Sequence, residues 1–390
     1  MRGSGGSSVD RGRLIETGFY LPSADTATYL TRVSIVPLYG HEALRQQLRT
    51  AAARGTLPGS LLLHGARGVG KQRLALWLGQ ALLCSGPNPR PCGKCQHCRY
   101  AAGWVHPDLH WYFPRPRLKE ADPSPESVRD DYAEAIAERV ERHGLYAPAD
   151  GTEAIFVAAV RALLHAAVLS PALAKRKVFV VGDAERMVPQ EGAEVAANAF
   201  LKLLEEPPAD TTLILTSSEP GALLPTIRSR VVGVRVPRLP EADVRAFLAD
   251  PNAAAALAEN GAPSSAEERV RLAQGAPGLL LGASGMRESL AQAGRLLAAA
   301  TRGDLVETLR LAFIQGSSRA RGSFAQTLDA LTVLLHQRVR EAVEGEDPRG
   351  ATAAARAVEA VERSKMLVAG NANPQLVTSA LVRDLAHISR

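Results

Sequence analysis

The chain has 390 residues, which at roughly 100 to 200 residues per domain predicts two to four domains. Its 46% hydrophobic and 22% charged residues exclude a fibrous or wholly disordered chain, and no apolar run approaches the ~18 residues of a membrane span. The net charge of +6 permits a nucleic-acid partner without requiring one.

The beginning of the chain is predicted to be a flexible tail, residues 1–34. It starts basic and rich in Gly and Ser, but no apolar stretch with a small-residue cleavage site follows, as a signal peptide would require. We therefore expect a cytoplasmic protein. In a reduced compartment, four cysteines confined between Cys84 and Cys98 indicate a metal site rather than a disulfide framework.

After the tail, short apolar runs alternate with helical patterns. The clearest strand predictions are residues 60–64, 177–181 and 212–216. The first of them is followed by a glycine-rich turn and then by a helical pattern over residues 71–83. Strands separated by helices predict βαβ units, and therefore an α/β fold with a parallel sheet.

The later part of the chain differs in composition and in its hydrophobic pattern. Residues 114–151 are rich in Pro and charge, and we interpret them as a surface insertion whose second half forms a solvated helix. After Pro237 the strand patterns stop and Ala-, Leu- and Arg-rich helices follow. Ser323 is predicted to cap one of these helices, and Asn373 to cap a final helix that begins at Pro374.

A phosphate-binding loop is predicted between the first strand and its helix. In such a loop, glycines let backbone N–H groups wrap phosphate oxygens while a lysine supplies positive charge. The candidate nucleotide-binding residues here are Gly65, Gly68, Gly70, Lys71 and Gln72. Gln72 departs from the pattern, because a Ser or Thr hydroxyl would coordinate Mg²⁺ there. The simpler alternative is a glycine-rich turn that binds nothing.

Hydrolysis at this loop would also require acidic residues at the tip of a second strand, one to hold Mg²⁺ and one to activate water. The predicted strand 177–181 is followed by Gly182 and Asp183, so we expect a single carboxylate at this tip. Asp183 could assist a metal or cap the next segment. With the hydroxyl and one carboxylate missing, the sequence favours a site that has lost hydrolysis.

The cysteine spacing is the most specific single pattern. The candidate ligands are Cys84, Cys92, Cys95 and Cys98. Four thiolates at turn spacing predict a closed tetrahedral zinc site, which leaves no open position for catalysis. An iron–sulfur cluster is the alternative metal centre, and unliganded buried cysteines are the alternative without a metal. His97 and His106 are interpreted as bystanders, because four sulfur ligands are already available.

In this order, the motifs resemble the AAA+ clamp-loader subunits of bacterial DNA polymerase III. The loop and the cysteine module are followed by HPD at residues 106–108, NAFLKLLEEPP at 198–208 and IRSR at 227–230. NANPQLVTSALVRDL at 371–385 extends the similarity towards the end of the chain. The resemblance implies an AAA+ P-loop domain with a parallel sheet and an inserted zinc module, then a helical lid domain and a helical C-terminal collar domain.

The resemblance also implies where these parts begin and end. The predicted division is a tail at 1–34, an AAA+ domain at 35–236 with the zinc module at 84–98 and the insertion at about 114–151, a lid at 237–285 and a collar at 286–390.

Within this family, the chain resembles the delta-prime subunits more than the ATP-hydrolysing gamma/tau motors. The motors carry adjacent Asp and Glu at the strand tip, Lys followed by Ser or Thr in the loop, and a Gly-x-x-Arg whose arginine contacts the nucleotide. Here Gly278 stands where that arginine would be. The resemblance therefore implies no intrinsic hydrolysis, with ATP bound weakly or not at all. A gamma/tau-type motor or another AAA+ ATPase is the alternative.

Ser229 and Arg230 resemble the family's Ser-Arg-Cys motif, although Val231 replaces the cysteine. The resemblance implies a catalytic role in trans: Arg230 would reach into the ATP site of a neighbouring subunit and stabilise charge in the transition state. The structural alternative is an arginine that pairs with a local carboxylate.

The resemblance implies a hetero-oligomer without a membrane. Its partners would be the clamp-loader subunits delta and gamma/tau, the sliding clamp and primed DNA. A zinc-dependent nucleic-acid-binding module is a further alternative, but Lys94, His97 and Arg99 supply too few basic side chains around the cysteines to establish it.

Overall fold

The computed structural model describes part of the chain. The described residues are 35–147, 153–187, 194–303, 307, 310, 320–369 and 372–388. The predicted tail, residues 1–34, lies outside them. No helix in these ranges combines the length and the apolar character that a membrane span needs.

A parallel five-stranded sheet organises the first part of the described chain. Its strands are β1 (Ser60–His64), β2 (Leu109–Tyr112), β3 (Lys177–Val181), β4 (Thr211–Ser217) and β5 (Val232–Arg235), in the spatial order β2-β3-β4-β1-β5. The α/β fold and the three predicted strands are confirmed, and β4 extends one residue further at each end. Each central strand carries an uninterrupted apolar run of three or four residues, which is typical of strands buried on both faces.

The edge strands β2 and β5 were not predicted from the sequence. Each has four residues, and β5 is mostly exposed, with Val232 50% exposed. An edge strand needs fewer apolar residues than a central one, so its sequence signal is weaker.

Helices surround the sheet. They are α1 (Glu42–Ala53), α2 (Lys71–Leu83), α3 (Gln96–Ala102), α4 (Pro125–Glu141), α5 (Val157–Val168), α6 (Glu194–Glu205) and α7 (Pro225–Arg228). Helix α2 follows the glycine-rich loop and is buried along most of its length, because it packs against β1, β3 and β4.

The insertion contains helix α4, as predicted, but this helix is not solvated on all sides. Val128 and Tyr132 are buried in the same core as the sheet. The Tyr132 hydroxyl donates a hydrogen bond to the Phe113 carbonyl at 2.7 Å, and Arg115 forms an ion pair with Asp131 at 2.8 Å. The insertion is therefore packed onto the sheet region rather than projecting from it.

The described residues beyond Pro237 are helical, as predicted. The helices are α8 (Glu241–Ala249), α9 (Pro251–Glu259), α10 (Ala266–Ala273), α11 (Ala283–Arg302), α12 (Ala320–Glu344), α13 (Pro348–Ala369) and α14 (Pro374–Ile388). One apolar cluster joins α8 to α10 and includes Phe247 and Leu257; a separate cluster joins α11 to α14 and includes Phe324 and Leu381. The residue limits of the lid and collar domains stay predictions.

The two predicted helix caps have different outcomes. Asn373 caps α14, since its Oδ1 accepts a hydrogen bond from the Gln375 N–H at 2.8 Å. Ser323 is not a cap, because α12 already includes Ala320. The helix begins before the apolar pattern does, so the pattern placed its start too late.

Candidate functional site

The glycine-rich loop lies between β1 and α2, as predicted. Gly68 and Gly70 have φ angles of 79° and 93°, a region that favours glycine. Lys71 is only 5% exposed, and its Nζ donates hydrogen bonds to the Ala66 carbonyl at 2.9 Å and to the Ser218 hydroxyl at 2.8 Å. The lysine that would bind phosphate is therefore satisfied by the protein itself.

A turn from the following helical region lies directly on this loop. The Gly278 N–H donates a hydrogen bond to the Gly68 carbonyl at 2.9 Å. A Cβ added to Gly278 would lie 2.9 Å from that same oxygen, closer than carbon side chains approach. An arginine at this position would therefore require the turn and the loop to move apart.

The loop also contacts the C-terminal helices. Arg67 forms an ion pair with Asp329 of α12 at 3.3 Å. Asp329 in turn pairs with Lys365 of α13 at 3.0 Å, and Lys365 pairs with Glu362 at 3.0 Å. A chain of charges thus connects the loop to two helices of the C-terminal bundle.

Gln72, which replaces the Mg²⁺-binding hydroxyl residue, bridges the loop and the strand tips. Its Nε2 donates to Asp183 at 3.0 Å, while its Oε1 accepts from Trp111 Nε1 at 3.2 Å and from the Tyr146 hydroxyl at 3.4 Å. A Cβ added to Gly182 would overlap the Gln72 amide. The glutamine and the glycine therefore fit each other: the amide fills the space that a larger residue 182 would need.

The prediction of a single carboxylate at the strand tip is wrong. Glu185 also reaches it: its Oε1 accepts from the Ser218 N–H at 2.9 Å. Burial, reinforced by the negative charge of Asp183, raises the pKa of Glu185 to about 7. Burial lowers the pKa of Lys71, although both carboxylates oppose this shift. The motor pattern has its two acidic residues adjacent in sequence, whereas here a 3-10 turn at Ala184–Arg186 brings Glu185, two residues after Asp183, to the tip.

Arg230 lies at the other end of the sheet. Leu61 of β1 pairs with Val232 of the parallel strand β5. Arg230 precedes this residue pair by two residues in the segment that leads into β5, and Gly65 follows the pair by four residues in the segment that leaves β1. Six strand residues span about 20 Å. Arg230 is therefore too far away to act on the loop of its own chain.

Arg230 is held by the segment before it and by helix α6. Its Nε donates to Glu205 Oε2 at 3.1 Å, and its Nη1 donates to the Thr226 carbonyl at 3.1 Å and approaches the Ser229 hydroxyl at 3.4 Å. The Ser229 hydroxyl donates to the same Thr226 carbonyl at 3.1 Å. Arg230 thus has the local carboxylate partner of the structural alternative, and its side chain is still 30% exposed.

This ion pair contributes little to stability. The Glu205 side chain is 57% exposed, and exposed pairs are worth roughly 0.2 to 1 kcal/mol. Glu205 is also the last residue of α6, where the helix dipole disfavours a carboxylate by about 0.3 to 1 kcal/mol. The two effects are of similar size and opposite sign, so they nearly cancel.

The four cysteines form one cluster. The Sγ atoms of Cys84, Cys92, Cys95 and Cys98 all lie within 4.8 Å of one another. The Cys92–Cys98 and Cys84–Cys95 sulfur distances are 3.9 and 3.8 Å, and tetrahedral zinc with bonds of about 2.3 Å places its sulfurs ~3.8 Å apart. The donor set and its spacing fit a four-coordinate metal ion.

Backbone groups support thiolates in this cluster. The N–H groups of Cys95 and Cys98 each donate to the sulfur three residues earlier, both at 3.4 Å. Burial raises the pKa of Cys95, but hydrogen bonds from the backbone N–H groups of Cys98 and Ser85 outweigh it, and the pKa falls to about 5. A thiolate that is already ionised binds a metal without releasing a proton.

The HPD motif lies beside the cysteine module. His97 Nδ1 and His106 Nε2 are 3.0 Å apart, and His106 Nδ1 accepts from the Asp108 N–H at 3.0 Å. The Asp108 carboxylate, which is almost fully buried, accepts three backbone N–H groups, from Ala172, Leu173 and Ala174 at 2.6 to 2.8 Å. The motif therefore has a structural role, which its sequence alone did not show.

The parallel sheet, the glycine-rich loop after β1 and the acidic tip of β3 define a P-loop protein of the AAA+ type. The chain belongs to the family described as "DNA polymerase III, delta subunit", whose family model matches residues 40–240.

Two relatives show the range of similarity. The delta' subunit of DNA polymerase III from Pseudomonas aeruginosa is 35% identical over 172 residues, which cover 44% of this chain and 40% of the relative. The gamma/tau subunit from Mycobacterium tuberculosis is 31% identical over 217 residues, 55% of this chain and 31% of the relative. The chain thus matches less than half the length of each.

Among solved structures, a gamma-subunit-related protein of DNA polymerase III from Thermotoga maritima is 19% identical. It covers 88% of this chain and 100% of its own, with a TM-score of 0.39.

Proposed function

We propose that this chain is a delta-prime-like subunit of the DNA polymerase III clamp loader, which helps to place the sliding clamp on primed DNA in the cytoplasm. It assembles with delta and gamma/tau subunits, carries a structural zinc ion and does not hydrolyse ATP itself. Family membership supports the first part. The absence of hydrolysis is supported by the phosphate-binding loop, whose Lys71 Nζ donates to the Ala66 carbonyl and the Ser218 hydroxyl of the same chain.

Three residues of the loop are bound by other groups of the chain. Lys71 donates to Ala66 and Ser218, Gly278 covers Gly68, and Arg67 pairs with Asp329. A triphosphate would have to draw Lys71 away from Ala66 and Ser218 before the lysine could bind it. Such a loop supports a subunit that keeps one conformation while its neighbours hydrolyse ATP.

We expect the purified protein to show no ATP turnover above background, and Gln72→Thr not to restore it. Threonine would supply the missing hydroxyl, but Lys71 would still donate to Ala66 and Ser218. The substitution would also remove the acceptor of the buried Trp111 Nε1, at a cost of roughly 1 to 3 kcal/mol. Phosphate release measured on the isolated protein tests this, with Lys71→Ala as the control. Turnover by the unmodified protein that Lys71→Ala abolishes would instead assign a gamma/tau-type motor.

The proposal gives Arg230 its role in trans. The guanidinium lies at the end of the sheet opposite the chain's own loop and is partly exposed, so it can meet a nucleotide held by a neighbour. An arginine supplied in this way can accelerate phosphoryl transfer by about 10³- to 10⁵-fold at the site it reaches. Apolar side chains exposed on α13 and α14, among them Met366 and Leu376, support assembly through the C-terminal helices.

We expect Arg230→Ala to fold and assemble normally but to lower the DNA-stimulated ATPase and the clamp loading of the reconstituted complex. The ATPase loss should be partial, because one arginine serves one of several ATP sites. Arg228→Ala is the matched control, since Arg228 is exposed and ends the short helix α7, two residues before Arg230. Full activity of the Arg230→Ala complex, or its failure to assemble, would show that Arg230 is a structural residue.

A further inference from the structure

We infer that Glu205 is a positioning residue for Arg230, an inference that rests on the proposed role of that arginine in trans. Glu205 ends helix α6 and accepts a hydrogen bond from Arg230 Nε at 3.1 Å. The carboxylate holds the guanidinium in the orientation that a neighbouring subunit's γ-phosphate meets, and it does not itself touch that phosphate.

The hydrogen bonds leave part of the guanidinium available. A guanidinium has five N–H donors in a planar fork. In Arg230, Nε donates to Glu205 and Nη1 to the Thr226 carbonyl, while Nη2 donates no hydrogen bond to a described residue. The two contacts fix the plane of the fork and leave Nη2 for an oxyanion outside the chain.

Stability does not explain why the carboxylate is there. Glu205 and Glu206 both lie at the carboxyl end of α6, where the helix dipole repels negative charge. Glu205 forms the ion pair with Arg230, whereas no ion pair of Glu206 occurs within the described part of the chain. The pair is also too exposed to stabilise the fold appreciably. Its consistent physical effect is to restrict the rotamers of a long cationic side chain.

Restricting the arginine matters for the reaction. A free arginine would have to lose its rotamer freedom each time it met the nucleotide, and this loss weakens the interaction by about two- to tenfold. An arginine already held at Nε has lost much of that freedom before assembly. Since Nε faces Glu205 and Nη1 faces Thr226, Nη2 can face the incoming phosphate without competition from the carboxylate.

The experiment is a double-mutant cycle in the reconstituted clamp-loader complex, with kcat and KM of the DNA-stimulated ATPase as readouts. We expect Glu205→Ala to lower kcat in the same direction as Arg230→Ala but less, and Glu205→Gln to lower it least, because the amide oxygen can still accept from Nε. Glu206→Ala is the matched control and should leave kcat unchanged. In the Arg230→Ala background, Glu205→Ala should have no further effect. Assembly of each variant is checked by size-exclusion chromatography.

The outcomes separate this inference from the proposed function. If Arg230→Ala lowers kcat but Glu205→Ala and Glu205→Gln do not, the positioning role is wrong and the arginine's role stands. If the effects of Glu205→Ala and Arg230→Ala add, Glu205 acts independently of the arginine, and the inference is again wrong. If Arg230→Ala itself retains full kcat, the role of Arg230 in trans and the positioning role of Glu205 are both wrong. Should Glu205→Ala fail to assemble, Glu205→Met, which keeps most of the side chain but cannot accept from Nε, takes its place in the cycle.

Discussion

Replacing Cys95 with Ser is expected to abolish stoichiometric zinc binding and to unfold the cysteine module locally. The unmodified protein should carry one zinc ion per chain. Structural zinc is worth about 10 to 16 kcal/mol in small zinc-finger domains, and a serine hydroxyl cannot replace a thiolate in such a site. Elemental analysis and the loss of protection from proteolysis within residues 84–98 measure the two effects.

The unfolding should stay local, because the module is anchored to the sheet region from one side. Cys98 is fully buried, and its carbonyl accepts a hydrogen bond from Gln80 of α2 at 3.0 Å. The surrounding core therefore limits the destabilisation that follows loss of the metal. His97→Ala is the matched control and should retain zinc, since the four sulfurs form the cluster without His97. Protein without zinc, or with iron and visible absorbance, would contradict the zinc assignment.

Asp108→Ala should destabilise the sheet region by about 3 to 5 kcal/mol, because each buried donor left without an acceptor costs roughly 1 to 3 kcal/mol and three are left so. The carboxylate is 1% exposed and receives three backbone N–H groups from residues 172–174. The substitution leaves all three donors without an acceptor. Lys177 stabilises the same region, because its Nζ donates a hydrogen bond to the Ala167 carbonyl of α5 at 2.7 Å. Together the two side chains hold the loop that joins α5 to β3.

Urea denaturation followed by tryptophan fluorescence measures this loss, since Trp104 and Trp111 lie in and beside the core of the sheet region. Asp108→Asn should cost less, about 1 to 3 kcal/mol, because the amide oxygen still accepts some of the donors. Asp122→Ala is the control: this carboxylate is 82% exposed, and we expect a change within about 0.5 kcal/mol. An Asp108→Ala protein as stable as the control would show that these hydrogen bonds contribute little.

Local patterns were enough where a residue's role depends on its neighbours in sequence. The strands β1, β3 and β4 were predictable because each carries a short uninterrupted apolar run, as strands buried on both faces of a parallel sheet do. The glycine-rich loop and the cysteine cluster were predictable because their residues lie within one turn or a few turns of the chain. The cap at Asn373 was predictable for the same reason.

Patterns failed where partners distant in sequence decide the role. Glu185 was missed because a 3-10 turn, rather than sequence adjacency, brings it to Ser218. Helix α4 was interpreted as solvated because its sequence is highly charged, yet Val128 and Tyr132 are buried against the sheet region. A charged helix can still bury one narrow stripe, and the sequence does not say what lies opposite it.

The sequence by itself determined the family, the α/β sheet, the loop and the cluster of four sulfurs. Only the tertiary structure decided how the loop is used: Lys71 donates to groups of its own chain, Gln72 fills the space left by Gly182, and Gly278 covers Gly68. It also paired Arg230 with Glu205, 25 residues earlier in the chain. The physical reason is that hydrogen bonds and close packing depend on distances between segments, and a motif records only the residues within one segment.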